Sequence, residues 1–197
     1  MIKRIFDLFF ALSGLIFLSP FLIVIALWIK LDSKGAVFFK QKRVGQFEKE
    51  IDVYKFRSMV TDAESKGLKI TVGRDPRITN SGHFIRKYKI DELAQLINVV
   101  NGTMSLVGPR PEVQEYIDEY PQSIKDKVLS VKPGITDFAS IEFKDENSIL
   151  EGVENPNDVY INEILPIKQK YYIQYVEEQS IYLDIKLIFK TLIAIIK

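Results

Sequence analysis

Two adjacent carboxylates in a basic neighbourhood are the residues of this chain best suited to chemistry. Asp91 and Glu92 follow a cluster of Arg86, Lys87 and Lys89, and Arg110 stands downstream between Pro109 and Pro111. Two acids among several bases describe a site for a polyanion and a divalent metal. Magnesium prefers oxygen ligands and often takes one or two carboxylates together with substrate phosphates. A carboxylate can also attack phosphorus to give an acyl phosphate, which splits one hard displacement into two easier ones. Arginine offers phosphoryl oxygens a planar fork and lysine a point charge, and the paired prolines restrict the backbone that presents Arg110. A purely structural account also exists, with Asp91 as a helix N-cap and Glu92 as a first-turn acid favoured by the helix dipole.

The segment that must position these groups runs from Phe84 to Pro111. Leu93, Leu96, Ile97 and Val100 recur at i, i+3, i+4 and i+7, which predicts a helix buried along that stripe and ended by Gly102. Met104 to Val107 reads as a short apolar segment leading into Gly108-Pro109-Arg110-Pro111. Upstream, residues 36–44 and 51–57 are rich in Val, Phe, Ile and Tyr and are separated by a polar stretch, the pattern of a β-hairpin. Its strands carry Lys40, Lys42, Arg43, Lys55 and Arg57. Residues 58–66 read as a short helix and 67–81 as a loop. Downstream, helices are expected over 111–120 and 123–129, and a strand over 136–143. Residues 144–157 form a polar, irregular stretch, and further helical sequence runs to about Glu178 with a break at Pro166.

The amino-terminal segment is of another kind. Leu8 through Ile29 carries no charged side chain; at about 1.5 Å per residue it reaches roughly 33 Å, close to the thickness of a bilayer's hydrocarbon core. The run is over-long for a cleaved signal peptide and lacks its small-residue cleavage site. Ser19-Pro20 sits near its middle, where proline removes a backbone hydrogen bond and kinks a helix. Lysines and arginines flank both ends: Lys3 and Arg4 before, and Lys30, Lys34, Lys40, Lys42 and Arg43 after. A spanning helix concentrates such charges on one side, so the pattern fits a re-entrant helix that bends at Ser19-Pro20; a plain single span is the alternative. At the other end, Ile181 to Lys197 forms an amphipathic wheel. At about 100° per residue, Lys186, Lys190 and Lys197 share a stripe of roughly 40°, with Asp184 and Thr191 almost opposite. That fits an interfacial helix whose lysines meet anionic headgroups, against the plainer account of a core helix with one wet edge.

Composition narrows the function classes. A net charge of +1 over 197 residues gives no case for nucleic-acid binding. With no cysteine and one histidine, His83, there is no disulfide framework, thiolate metal site or multi-histidine site. Lys42, Arg43 and Arg57 are expected as surface charges, and Arg77 as a partner of a carboxylate or of ligand. Asp7 is expected to pair with Lys3 or Arg4.

At this point the chain resembles the bacterial sugar transferases, the monotopic polyprenyl-phosphate phosphoglycosyl transferases. The stretches that carry the resemblance are KRIFDLFFALSGLIFLSP, KQKRVG, YKFRSM, DPRIT, IRKYKIDELAQLINVVNGTMSLVGPRP, KPGIT and SIYLDIKLIFKT, in the family's order and over most of the chain. The resemblance implies a catalytic domain on the cytoplasmic face of the bacterial inner membrane, held by a re-entrant helix bent at Ser19-Pro20. It implies transfer of a sugar-1-phosphate from a UDP-sugar to undecaprenyl phosphate, with Mg2+, as the first membrane step of surface glycan synthesis. It places the nucleophile at Asp91 and matches the family's basic positions to Lys55, Arg86 and Arg110, which could hold phosphoryl oxygens; Glu92 beside Asp91 supplies a carboxylate ligand of the kind magnesium takes. Asp137 and Phe138 depart from the family's usual sequence after KPGIT, which makes a borrowed sugar preference unsafe. A homodimer is neither required nor excluded.

The expected architecture is α+β: a mostly helical small catalytic domain with a β-hairpin, over residues 32–180. Residues 1–31 form the membrane helix and 181–197 the amphipathic helix. Rival readings are a one-step transferase with Asp91 as general base, a glycoside hydrolase, and a non-catalytic membrane-anchored scaffold. Hydrolase carboxylates flank the scissile bond about 5–9.5 Å apart, whereas neighbouring acids on one turn suit a single metal–phosphate cluster.

Overall fold

A helix of 31 residues, α1 (Ile2–Asp32), lies along an α+β body in the computed structural model, which describes residues 1–63 and 75–196. Asp7, Ala11, Ile25 and Ile29 of α1 are buried, and half-buried Leu15, Leu18 and Leu22 continue the stripe between them. These steps of about 3.6 residues define one face laid on the body. Phe9, Ile16, Phe17, Val24, Leu27 and Leu31 point away and are exposed, an apolar strip larger than soluble monomers usually show. Among the described residues α1 alone is long and apolar enough to cross a membrane.

Both ends of α1 are tied to this one body. Arg4 donates to the carbonyls of Val99 (2.5 Å) and Val100 (3.0 Å), while Asp7 accepts from Ser105 Oγ (2.9 Å) and the Leu106 N–H (3.1 Å). At the far end Arg57 donates to the carbonyls of Ile29 (3.2 Å) and Ser33 (2.7 Å), and Asp32 accepts from the N–H and hydroxyl of Ser81, both at 2.8 Å. Arg57 is therefore a buried clamp on the carboxyl end of α1 and not the expected surface charge. Midway, Pro20 has no N–H to offer the carbonyl of Ile16, and the Ser19 hydroxyl donates to that carbonyl instead, at 2.7 Å.

The hairpin pairs β1 (Phe38–Val44) with β2 (Glu50–Phe56) antiparallel, Phe38 opposite Phe56 and Val44 opposite Glu50. Then follow α2 (Asn80–Lys87), a 3-10 turn over Ile90–Gln95, α3 (Leu96–Asn101) and β3 (Ser105–Val107). The Thr79 hydroxyl caps α2 by accepting from the Gly82 N–H at 3.0 Å, and Gly102 ends α3 in the left-handed conformation, φ 82°. Beyond lie α4 (Gln114–Asp118), α5 (Gln122–Val128), β4 (Gly134–Thr136), α6 (Phe138–Glu142), α7 (Glu146–Ile149) and α8 (Pro156–Val159). A π turn over Tyr160–Ile164 leads into α9 (Leu165–Glu178), and α10 (Ile181–Ile196) follows. β3 and β4 pair parallel, Ser105 with Gly134 and Val107 with Thr136. A Cβ on Gly134 would stand 2.0 Å from the Gly108 nitrogen, so only glycine lets these backbones meet.

Several expectations are corrected. The helix predicted along Leu93–Val100 is a 3-10 turn leading into α3, set off from α2 by Lys89, which adopts a left-handed conformation (φ 54°). Its buried face is Asp91, Ala94, Gln95, Leu96, Asn98 and Val99; of the predicted stripe Leu96 is buried, while Leu93, Ile97 and Val100 are half-buried. Residues 58–60 are extended, with Met59 bridged to Ile78, and the rest of the helix expected over 58–66 falls in part outside the described residues. α2 begins at Asn80, inside the expected loop. Residues 111–113 are not helical, since helix starts only at Gln114. The strand expected over 136–143 is instead β4 followed by α6, whose Asp137 side chain caps it by accepting from the Ser140 N–H at 2.7 Å.

α10 turns Leu183, Asp184 and Leu187 inward. Asp184 accepts from Lys3 Nζ (2.6 Å) and lies 2.8 Å from the Tyr175 hydroxyl, and Thr191 meets Thr136 at 2.6 Å. Its outer face mixes exposed Tyr182, Phe189, Leu192 and Ile193 with exposed Lys186 and Lys190.

Candidate active site

The break at Lys89 is what turns the acids toward the body. A non-glycine residue in the left-handed region is strained, and here it redirects the chain from α2 into the 3-10 turn that carries Asp91 and Glu92. Arg86 lies in the last turn of α2, and Lys55 comes from β2. Arg110 is presented by the Gly108–Pro111 loop, which is pinned by Gly108 N–H to Thr136 O and Gly134 N–H to Pro109 O, each at 3.0 Å. All five of these sequence-derived residues, with Lys89, line one cleft of about 440 Å³. Ser19 and Pro20, within α1, are not among its lining residues.

Glu92 is clamped. Arg110 Nη2 donates to its Oε1 at 2.5 Å and Nη1 to its Oε2 at 3.3 Å, a two-pronged pair. Burial pushes the Glu92 carboxyl up, but Arg110 and then Lys55 outweigh this and hold it well below the usual carboxylate range. Arg110 in turn is pushed up, chiefly by Glu92. Asp91 behaves oppositely. Burial, and then the charge of Glu92, push its carboxyl up, against Lys55, Arg86 and Lys89. Its Oδ1 is shielded from solvent and has no partner. Lys55 is pushed down to about 8 by burial, opposed by Glu92 and reinforced by Arg110. One carboxylate is thus fixed as an anion while its neighbour keeps an uncommitted oxygen.

The acids fit a metal of the magnesium kind. Asp91 Oδ1 is an orphaned acceptor, and each Glu92 oxygen keeps a lone pair beyond its arginine bond. Among the described residues no group of three or more acidic, histidine or cysteine side chains stands together. The remaining ligands would therefore be water and substrate phosphate, the mode magnesium favours.

Asn98 was not legible as a site residue. It is 1 % exposed on α3; its Nδ2 donates to Asp52 O (2.6 Å) and its Oδ1 accepts from the Tyr54 N–H (2.9 Å). It acts as a one-residue edge strand, fixing β2 and so Lys55 against the segment bearing the acids. The only sequence signal was a polar residue inside an apolar run. Arg43, expected as surface charge, is largely buried and pairs with Glu112 at 3.4 Å, whereas Lys42 is exposed as expected, between Glu50 and Asp52. Arg77 makes a bidentate hydrogen-bonded ion pair with Asp75, Nε donating to Oδ1 at 2.9 Å and Nη2 to Oδ2 at 2.6 Å. Asp7 takes Ser105 and Leu106 as its main partners, with Lys3 more distant at 3.9 Å. His83 is exposed on α2.

A family model described as bacterial sugar transferase matches residues 1–197. The chain belongs to the bacterial sugar transferases. Relatives of this family include the UDP-glucose:undecaprenyl-phosphate glucose-1-phosphate transferase of Escherichia coli (strain K12), 39 % identical over 97 % of this chain and 39 % of that protein. The exopolysaccharide production protein PSS of Rhizobium leguminosarum bv. phaseoli is 40 % identical over 98 % of this chain and 94 % of its own length. The UDP-N-acetylgalactosamine-undecaprenyl-phosphate N-acetylgalactosaminephosphotransferase of Aeromonas hydrophila is 35 % identical over 97 % of this chain and 43 % of that protein. The chain thus spans about two-fifths of the first and third of these sugar transferases and nearly all of the second.

Proposed function

We propose that this bacterial sugar transferase moves a sugar-1-phosphate from a UDP-sugar to undecaprenyl phosphate at a membrane surface, releasing UMP, as the first membrane step of a surface glycan. The observation that carries this reading is the unpartnered Asp91 oxygen in a cleft lined by Lys55, Arg86, Lys89 and Arg110, beside a carboxylate already clamped by arginine. The names of the relatives supply the substrate class.

Asp91 attacks the sugar-linked phosphorus; the new carboxyl O–P bond forms as the bond to UMP breaks. A phosphate oxygen of undecaprenyl phosphate then attacks the same phosphorus and the Asp91 carboxylate leaves, giving the lipid diphosphate sugar. Arg110, Arg86 and Lys55 hold phosphoryl oxygens and stabilise the charge that develops on them. Asp91 and Glu92 would hold Mg2+, which neutralises diphosphate charge and favours the ionised form of Asp91. Burial keeps the free Asp91 carboxyl from repelling an incoming polyanion, because the same shielding disfavours its charged form.

For membrane attachment we take residues 1–31 as a re-entrant unit, 32–180 as the catalytic unit and 181–197 as an interfacial helix. The ties of Arg4, Asp7, Arg57 and Asp32 support this, since one body holding both ends of α1 cannot stand on both sides of a bilayer. The mixed lysine and aromatic outer face of α10 suits a headgroup layer. The positions of the flanking lysines agree with a cytoplasmic face of the inner membrane.

The test is UMP release from a panel of UDP-sugars with undecaprenyl phosphate and magnesium. The wild-type protein is expected to release UMP, to lose this with EDTA, and to lose it in Asp91→Asn with its melting transition unchanged. Undiminished release by Asp91→Asn would overturn the assignment.

A further inference from the structure

The cleft has a second polar pole that phosphoryl transfer leaves unassigned. Ser140 of α6, Glu146 of α7, and Lys168 and Tyr172 of α9 line it, together with the ring of Phe143. Lys168 is 4 % exposed; it pairs with Glu146, donates to the Tyr160 hydroxyl at 3.1 Å, and lies 5.9 Å from the centre of the Phe143 ring. A buried ammonium–carboxylate pair is weak support for a fold, because well-packed apolar residues of the same volume often do as well or better. Here the pair sits in the wall of a cleft, with Glu146 the more exposed of the two. In the lining of the same cleft, Ser140 Oγ is shielded from solvent and has no partner in the protein, although the Ser140 N–H is taken by Asp137.

These groups share one chemistry. A carboxylate accepts from hydroxyls, an ammonium and a serine hydroxyl donate to them, and an aromatic ring covers an apolar sugar face. The Lys168 ammonium is already engaged by Glu146 and the Tyr160 hydroxyl, and the Glu146 carboxylate would repel a phosphate. The cations Lys55, Arg86 and Arg110 reach the same cleft from other elements, β2, α2 and the Gly108–Pro111 loop. A diphosphate held by those cations therefore leaves the hexose ring to the rest of the cleft.

We propose that Ser140, Glu146 and Lys168 form the subsite that reads the hydroxyl pattern of the transferred sugar, so that this wall sets which sugar is used. The proposal rests on the nucleotide-sugar reading above. It also gives the departure from the family sequence at Asp137 and Phe138 a consequence, since Asp137 caps the short helix that carries Ser140 into the cleft.

The test uses the full chain in lipid nanodiscs. UMP release is measured with pairs of UDP-sugars that differ only in the orientation of one hydroxyl, UDP-glucose with UDP-galactose and their 2-acetamido counterparts. The ratio of kcat/KM within each pair is expected to fall by about tenfold in Glu146→Gln, and by roughly three- to tenfold in Ser140→Ala. Inhibition by free UMP should be unchanged. A simple tie between α7 and α9 would instead lower stability or the rate with every donor alike and leave the ratios constant. Constant ratios in both variants would overturn the subsite. Should Glu146→Gln lose its melting transition, Ser140→Ala decides alone, since its hydroxyl makes no bond within the protein. If the wild-type protein released no UMP from any UDP-sugar, the transferase reading itself would fall, and the subsite with it.

Discussion

Replacing Ser19 by alanine asks whether the middle of α1 sits in hydrocarbon. Pro20 cannot donate to the Ile16 carbonyl, and the Ser19 hydroxyl does so at 2.7 Å. In water that carbonyl would find another donor, and the loss would cost well under about 1 kcal/mol. In a bilayer no such donor exists, and an unsatisfied backbone carbonyl costs about 1–3 kcal/mol, or more in the deepest positions. Pro20→Ala restores the backbone N–H, so in that background the serine hydroxyl becomes redundant. The expected result is a double-mutant cycle with a coupling of about 1–3 kcal/mol between positions 19 and 20. Unfolding is followed in bicelles by the fluorescence of Trp28, the only tryptophan, which packs 5.4 Å from the Phe84 ring and so reports the docking of α1. A Ser19→Ala cost that is the same with and without Pro20 would refute the reasoning, and a cost near zero in both would place this stretch in water.

Two further outcomes follow from buried polar groups. Asn98→Ala removes the partner of the Tyr54 N–H and the Asp52 carbonyl at once; thermal unfolding should show a loss of about 2–4 kcal/mol. UMP release should fall further than the folded fraction, because Lys55 is no longer fixed against the acids. Asp137 is fully buried, and burial pushes its carboxyl up from 3.8. An acid whose pKa is raised on folding makes the folded state bind the extra proton, so its ionisation destabilises as pH rises above the unfolded value. Asp137→Asn keeps an N-cap acceptor and should therefore gain stability over wild type at neutral pH, with the gap closing toward pH 4 in denaturant titrations. A gap that widened in acid would show the carboxylate to be stabilising.

Much of the site was legible because its residues lie in short stretches whose types speak for themselves. Arg86, Asp91, Glu92 and Arg110 fall within the segment Phe84–Pro111, and Lys55 lies in a strand recognisable by its β-branched and aromatic content. The geometry that unites them was not legible. Nothing in the propensity of lysine announces the left-handed turn at Lys89, and the aliphatic spacing of Leu93, Leu96, Ile97 and Val100 gave no sign that Asp91, Gln95 and Asn98 are buried beside Leu96. β4 is a three-residue strand whose partner lies nearly thirty positions away in sequence, so its local pattern was read as part of a longer strand through α6. Arg57 and Arg43 looked solvated because their partners, the carbonyls of Ile29 and Ser33 and the carboxylate of Glu112, are remote in sequence. Glu146 and Lys168 were hidden for the same reason, one of them in a polar stretch that read as irregular.

The central claim is that Asp91 itself carries the phosphosugar. The direct measurement is intact-protein and peptide mass spectrometry after rapid quenching of the enzyme with a UDP-sugar and magnesium, without undecaprenyl phosphate. The account predicts a mass increase of one phosphosugar on the peptide bearing Asp91, stoichiometric with a burst of UMP and discharged when undecaprenyl phosphate is added. UMP formation only after the lipid acceptor is supplied, with no adduct at Asp91 at any time, would contradict it and leave Asp91 as a general base.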